Sequence, residues 1–442
     1  MQRFKSKKKI IIAAIVLFII AGVLIFKYLS SPSPYPAFAP IEEDENLTRE
    51  EYMEDFDFAY ETLKNYYPYF DVNEKVYGIN WLQNRETYRE KISQCKSDRE
   101  FYETMSQILS DLNNGHTHIL STDYGLDFYI LYKRLPRFNW RVDMVKIFEN
   151  PKVQARYGIT NENIDKILEY QNNYLPEETR YKNAITGDII PDKAGYIAIK
   201  QMVSPDLNIP SFKEEYESIK DYLEKIKDYE VLIIDIRENG GGNSGYWSDF
   251  LMPLIVDKSY SQRTYNFIKD GPLLSKSRKQ SGFKKLTEGI IDELDFPKET
   301  IGMIDDFSYF ATNYSKVKPN KDSINFKGKI YLLVDKYVYS SSEKMASFAK
   351  ESNMSILVGE RTGGDGIGSD PMLIDLPNSG YILRFSKEMG VTEKGSINEM
   401  DQTMPDIVVP DPVKKINFGS QGQAIINGDK AIMAVLEEEG IS

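Results

Sequence analysis

Three kinds of hydrophobic pattern follow one another along this chain. The first is an unbroken apolar run of 17 residues, Ile10 to Phe26, flanked by the basic cluster Lys5–Lys9 and closed by Lys27. At 1.5 Å per residue it spans roughly 25 Å, the short end of a transmembrane helix. The basic flank is expected to stay inside. Residues 1–9 then read as a cytoplasmic tail and 10–27 as a single-pass membrane anchor, which places the rest of the chain outside the cytoplasm. The alternative is a signal peptide cut after Ala39, within Ala37-Phe38-Ala39, giving a secreted protein. That site lies far beyond the apolar run, and Pro40 follows it. Residues 28–45, rich in Pro, Ser and acid, read as a stiff exposed stalk.

The second pattern has helical spacing and fills residues 46–120, an N-terminal helical subdomain. Thr48 with Glu51 three residues on forms a capping box, after which Phe56, Tyr60 and Leu63 recur at helical intervals. Ser97-Asp98-Arg99-Glu100 opens a second helix through Phe101, Met105, Ile108 and Leu109. Residues 121–190 show no motif and read as an irregular insert. The third pattern is that of continuous apolar strands, in a core over residues 191–412. Val231–Ile236 and Ile330–Val334 are strands buried on both faces, and Gly195–Lys200 and Ser355–Val358 are shorter ones. Helices at Ile209–Lys227 and Ser342–Ser352 alternate with them, so crossover units and a mainly parallel or mixed sheet are expected. A helical tail, 413–442, ends the chain.

Composition narrows the function. The 442 residues carry a net charge of −12, and six of the 55 basic residues fall in the first 27, which contain no acid. An acidic body argues against nucleic acid as a partner, since phosphate neutralisation needs a basic face. The single cysteine, Cys95, excludes an intrachain disulfide and a C-x-x-C zinc or redox site. There are two histidines, His116 and His118. Any histidine chemistry must use one of them.

Four stretches have the residue types that chemistry needs. Leu112–His118 places His116 after a glycine, where a helix gives way to extended chain. Asp235–Gly245 follows a buried strand with Gly240-Gly241-Gly242, a nest whose N–H groups suit an oxyanion; no Gly-Lys-Ser/Thr follows, which excludes a P-loop. Tyr339-Ser340-Ser341-Ser342-Glu343 leads into a helix, where a hydroxyl meets the favourable N-terminal end of the dipole. Gly359–Gly368 and Gly395–Asp406 supply a glycine-lined wall and a late carboxylate, Glu399. Each has an ordinary structural reading: a surface turn, a tight turn, helix capping, a solvated acid. His116 and His118 could also bind metal together, but no third ligand is evident.

In combination they are more specific. A serine needs a base within hydrogen-bond reach, and the base needs a carboxylate to fix its tautomer. The order histidine, glycine loop, serine, glutamate resembles the tail-specific (C-terminal processing) serine peptidases, and in particular their tricorn-like branch. Asn114–Thr117 matches the family's Asp-Gly-His-Thr, Asp235–Gly242 its Asp-Leu-Arg-x-Asn-x-Gly-Gly, Ser340–Glu343 its Ser-Ala-Ser-Glu, and Val358–Gly364 its Val-Gly-Glu-x-Thr-x-Gly. Glu399–Asp406 matches the closing pattern in spacing. The resemblance covers roughly residues 48–430. It implies a mixed α/β, crotonase-like or ClpP-like ββα core.

The resemblance also implies roles. Ser340, three residues before the motif glutamate, would be the nucleophile, His116 the general base and Glu399 the carboxylate that orients it. Backbone N–H groups of Gly241, or a neighbouring glycine, and Ser341 would form the oxyanion hole, with Gly240, Gly242, Gly363 and Gly364 lining the substrate site. No metal or cofactor is required. Three departures stand out: Asn114 replaces an acid, Asp365 occupies the position of the lysine in Ser–Lys relatives, and the glycine after Glu399 is missing. The expected function is an extracytoplasmic serine endopeptidase acting on peptides or partly unfolded proteins through an acyl-enzyme. The alternative is a catalytically inactive descendant that binds peptides or cell-wall components.

Overall fold

In the computed structural model, residues 47–136, 139–172, 182–207, 210–418, 424–426 and 428–441 are described. The expected anchor at 10–27 and stalk at 28–45 lie outside them. Among the described residues no helix is long and apolar enough to cross a membrane.

The continuous apolar segments become the centre of the fold. Six strands, numbered along the chain, form one sheet: β1 (Ala184–Ile190), β2 (Ala194–Ile199), β3 (Val231–Asp235), β4 (Lys329–Val334), β5 (Ile356–Gly359) and β6 (Ile407–Val408). Their spatial order is the order of the sequence, with β1 antiparallel to β2 and all other neighbours parallel. Side chains alternate between the two faces, as the two-residue period of a strand demands. Leu232, Ile234, Leu332 and Val334 pack with the helices Pro210–Ile226 and Ser341–Ser352. Val231, Ile233, Tyr331 and Leu333 pack on the opposite face against Ala431, Ile432 and Val435 of the terminal helix Lys430–Glu439. That helix is therefore part of the core rather than a free tail. Its N-cap, Asp429, pairs at 2.8 Å with Arg237, which also pairs with Asp235, and all three side chains are fully buried.

A second, larger cluster joins the N-terminal helices to two antiparallel sheets. The capping box at Thr48 starts helix Arg49–Tyr66, and Ser97 caps Asp98–Ser110. His118–Ile119, Ile382–Phe385 and Met372–Asp375 form a three-stranded sheet, and Glu388–Thr392, Tyr260–Ile268, Tyr309–Val317 and Lys284–Lys285 a four-stranded one.

The segment expected to be irregular, 121–190, is mostly regular where it is described. It holds helices at Thr122–Lys133, Val145–Phe148, Pro151–Tyr157 and Asn161–Asn172, and ends in β1. These helices are held by buried aromatics, among them Tyr132, Trp140, Phe148 and Tyr157. Short helices with rings on several sides lack a clean apolar stripe, so their periodicity is weak.

Candidate active site

Ser340 closes the turn between β4 and the helix Ser341–Ser352 with φ +56° and ψ −121°. An L-residue avoids this conformation, which costs on the order of 1–3 kcal/mol and persists only where the surroundings impose it. Here they do. Ser340 N–H donates to the Gly364 carbonyl at 3.3 Å, and the Ser340 carbonyl accepts from Lys344 N–H at 2.9 Å. Two neighbours have to be glycine. A Cβ on Gly241 would lie 2.8 Å from Ser340 Cβ, and one on Gly366 would lie 2.6 Å from the Ser340 carbonyl oxygen. The outcome is a strained strand-to-helix elbow of the kind that lifts a hydroxyl clear of the sheet.

His116 arrives from the other half of the molecule. After helix Asp98–Ser110 the chain turns through Asn114, and Gly115 N–H donates to the Tyr339 hydroxyl at 3.1 Å. The Tyr339 ring packs against the imidazole with centroids 4.9 Å apart. Pairing of His118 with Arg384 in the three-stranded sheet then fixes the exit of the turn. His116 Nε2 stands 3.0 Å from Ser340 Oγ, and His116 Nδ1 stands 2.7 Å from Asp365 Oδ2.

Asp365, not Glu399, is thus the carboxylate against the imidazole. Its two oxygens are well supplied. Oδ2 also accepts from Ser386 Oγ at 2.6 Å and Asn114 Nδ2 at 3.0 Å, and Oδ1 faces the Tyr69 hydroxyl at 2.9 Å. Burial alone would push this carboxyl up, but the facing His116 and the donors from His116, Ser386 and Asn114 outweigh it and hold it at about 2. An ionised Asp365 assigns the proton to Nδ1 and leaves Nε2 to accept from the Ser340 hydroxyl. Burial lowers the His116 pKa from its ordinary value, and the Asp365 charge only partly restores it. The imidazole is therefore neutral near pH 7.

Glu399 lies behind this group. Oε1 accepts from Asn114 Nδ2 at 2.9 Å, while Oε2 is buried without a hydrogen-bond partner among the described residues. Burial, then the charge of Asp365, holds this carboxyl well above the usual range. Its surroundings favour the protonated form, and it makes no hydrogen bond to His116 among the described residues. Asn114 explains both departures at once: its amide donates to Asp365 and to Glu399, where an acid would set another carboxylate against the charged Asp365.

The glycines divide. Gly241 N–H already donates to Asn239 Oδ1 at 3.0 Å, which removes it as a free oxyanion donor in this state. Gly242 is exposed and Gly240 half-buried on the same turn. Ser341 N–H, at the first position of its helix, has no backbone acceptor among the described residues. Gly363 N–H donates to Val338 O at 2.8 Å and the Gly364 carbonyl holds Ser340, so both glycines brace the elbow. Gly363 also edges a groove of about 520 Å³ with Lys336, Arg361 and Gln402. Glu343 braces the helix from beneath, accepting from Asn398 Nδ2 at 2.7 Å and Thr403 Oγ1 at 2.6 Å. Burial raises it to about 7. His118 does not join His116, for its Nδ1 faces the Gly115 carbonyl at 3.1 Å.

Asp365, Ser386 and Tyr69 had no role in the sequence reading. The only signal was positional: Asp365 stands where the resemblance puts a lysine beside the serine, so whatever occupies that place faces the reacting groups.

Residues 193–409 match the model of Peptidase family S41, and residues 48–110 that of the Tricorn protease C1 domain. Among solved structures, similarity extends to a putative peptidase from Parabacteroides merdae ATCC 43184, at 17% identity over 89% of this chain and 97% of that one, with a TM-score of 0.52. Mature CPAF complexed with lactacystin is similar at 13% identity over 82% of this chain and 94% of its own, with a TM-score of 0.51. Likeness at these identities establishes a shared fold. Comparison with curated protein sequences returned no match.

Proposed function

We propose that this chain, a serine-type peptidase whose residues 193–409 form a peptidase family S41 domain, cleaves peptides or partly unfolded proteins through an acyl-enzyme on Ser340. His116 Nε2 takes the Ser340 proton as Oγ attacks the carbonyl, and returns it to the leaving amine. Asp365 holds the Nδ1 tautomer and stabilises the imidazolium that forms. Ser341 N–H supplies one oxyanion donor. The second comes from the Gly240–Gly242 turn, either by Gly241 releasing Asn239 or from Gly242. The observation that carries this reading is the continuous relay from Ser340 Oγ to His116, 3.0 Å, and on to Asp365, 2.7 Å. It also weighs against an inactive descendant, because Asn114 and Asp365 complement each other instead of leaving the histidine unsupported.

The test uses the full-length chain with an unfolded casein-type substrate. Ser340→Ala and His116→Ala should each lose at least about 10³-fold in rate, with no effect of a chelator. Full activity in His116→Ala would overturn the mechanism. Because His116 must be neutral and its pKa is lowered, the rate should stay level as pH falls to the ordinary histidine value of 6.5 and decline only below it. A membrane tether outside the cytoplasm is part of the proposal. It rests on the sequence of residues 1–27 alone, and shaving intact cells with an added protease would test it.

A further inference from the structure

Charge around Ser340 runs against the charge of the chain. The whole protein carries −12, yet two cations, one against the His116 backbone and one on the helix that follows Ser340, form no ion pair among the described residues. Arg384 lies on the strand Ile382–Phe385, in register with His118. Its guanidinium has five N–H donors, but among the described residues it makes one long hydrogen bond, Nη1 to the His116 carbonyl at 3.5 Å, and rests 5.8 Å over the Phe128 ring. Lys344 stands in the first turn of the nucleophile helix, four residues after Ser340. Its Nζ has neither hydrogen bond nor ion pair among the described residues. Both side chains are half-buried, and burial lowers the pKa of each.

The acids that face them are already taken. Asp370, whose charge reaches both cations, pairs with Arg141. Glu388, which Lys344 also senses, pairs with the buried Lys387 at 2.8 Å. Asp365 is turned to His116. Two half-buried cations that face the same Asp370, one against the backbone of the base and one on the helix of the nucleophile, with most donors unused among the described residues, describe a site that lacks an anion. A carboxylate entering there gains charge-assisted hydrogen bonds, two of them to one guanidinium edge, in a medium that screens less than water.

We infer that Arg384 and Lys344 form a carboxylate-recognition subsite, so that the enzyme selects peptides with a negative charge next to the bond it cleaves. This rests on the proposed peptidase reading and adds its substrate class. An acidic side chain or a free C-terminal carboxylate offers the same chemistry.

The experiment walks one Glu along an otherwise uncharged, fluorescently labelled peptide. Each member is matched by a Gln version, and each is made with a free and an amidated C-terminus. Affinity is read by anisotropy on full-length Ser340→Ala protein, and cleavage on wild type. The best Glu peptide is expected to bind about tenfold or more tighter than its Gln partner. Adding Arg384→Met or Lys344→Met should shrink that gap to less than about threefold, and Arg384→Lys should keep part of it, separating lost charge from damage to the fold. A preference lost on amidation instead of on Glu→Gln assigns the carboxylate to the chain terminus and supports the subsite. Equal binding throughout, or a preference that survives both methionine variants, overturns it. Charge-selective binding without cleavage by wild type would sink the peptidase reading and leave the subsite standing.

Discussion

Ser340 and His116 face each other across 3.0 Å, yet opposite means place them. Ser340 is set by its own neighbourhood: an apolar strand, a short turn, a forced φ of +56° and a helix that begins at the next residue. Its position follows from local backbone geometry and from glycines that let the chain close in. His116 is set by remote partners. Tyr339, Asp365 and Ser386 meet its turn from more than 220 residues away in sequence. The nucleophile is a local device and the base a tertiary one. A strained elbow should therefore resist change in the distant half of the molecule, whereas the histidine depends on each long-range bond.

The two carboxylates near His116 give the largest way to break that comparison. Asp365→Asn keeps the shape but presents the wrong partner to Nδ1. In a serine–histidine relay this change costs about 10⁴-fold in kcat, since the imidazole is held in the wrong tautomer. Glu399→Gln should cost less than about tenfold, because burial favours the protonated acid, which an amide mimics while still accepting from Asn114. Steady-state kinetics on both variants decides between them. Reversed magnitudes would return the orienting role to Glu399 and make the Asp365 contact incidental.

The same contrast explains what the sequence revealed. Strands β2 to β5 and the helices Pro210–Ile226 and Ser341–Ser352 were legible to within a residue or two, because a continuous apolar run such as Val231-Leu-Ile-Ile marks a strand buried on both faces; the helices and strands between β3 and β4 were not read. Ser340 and His116 were legible for a related reason: each sits at a boundary between elements, in a motif of neighbouring residues. Asp365 was not. It lies in the loop between β5 and the strand Met372–Asp375, 249 residues from the histidine it serves, and nothing local separates it from the other loop acids. Glu399 attracted the role because its spacing fitted, but its burial and the intervening Asn114 are tertiary facts. The helices of 121–172 were hidden for a different reason, since aromatic rings packed on several sides blur the helical period.

A smaller effect tests the elbow itself. Gly366→Ala would bring a methyl group to 2.5 Å from Lys344 N and 2.6 Å from Ser340 O, both backbone atoms that have no room to give. Such overpacking costs about 1–3 kcal/mol. The rate should fall along with the melting temperature, because the displaced atoms hold the nucleophile. Gly302→Ala, where nothing lies within 4 Å of the added methyl, should be neutral to within about 0.5 kcal/mol. A Gly366→Ala enzyme with an unchanged rate would detach the strained backbone from catalysis.

The smallest effect separates Asp365 from Glu399 by stability alone. The Asp365 carboxyl is held at about 2, below its ordinary 3.8. The folded state therefore favours its ionised form, and that contribution is present at neutral pH and lost as pH falls toward 2. Glu399 is displaced in the other direction, well above 4.5. The folded state favours its protonated form, so as pH rises past 4.5 the unfolded chain releases this proton more readily and stability is lost. Glu399→Gln removes that term. Its melting temperature should exceed that of wild type by a few degrees at pH 8 and converge with it near pH 4, while Asp365→Asn should melt below wild type at pH 8 and approach it in acid. Thermal melts across that range read both slopes. Parallel slopes for the two variants would mean that Glu399 is ionised in the folded protein, and that Asn114 stands between two charges instead of between a charge and a neutral acid.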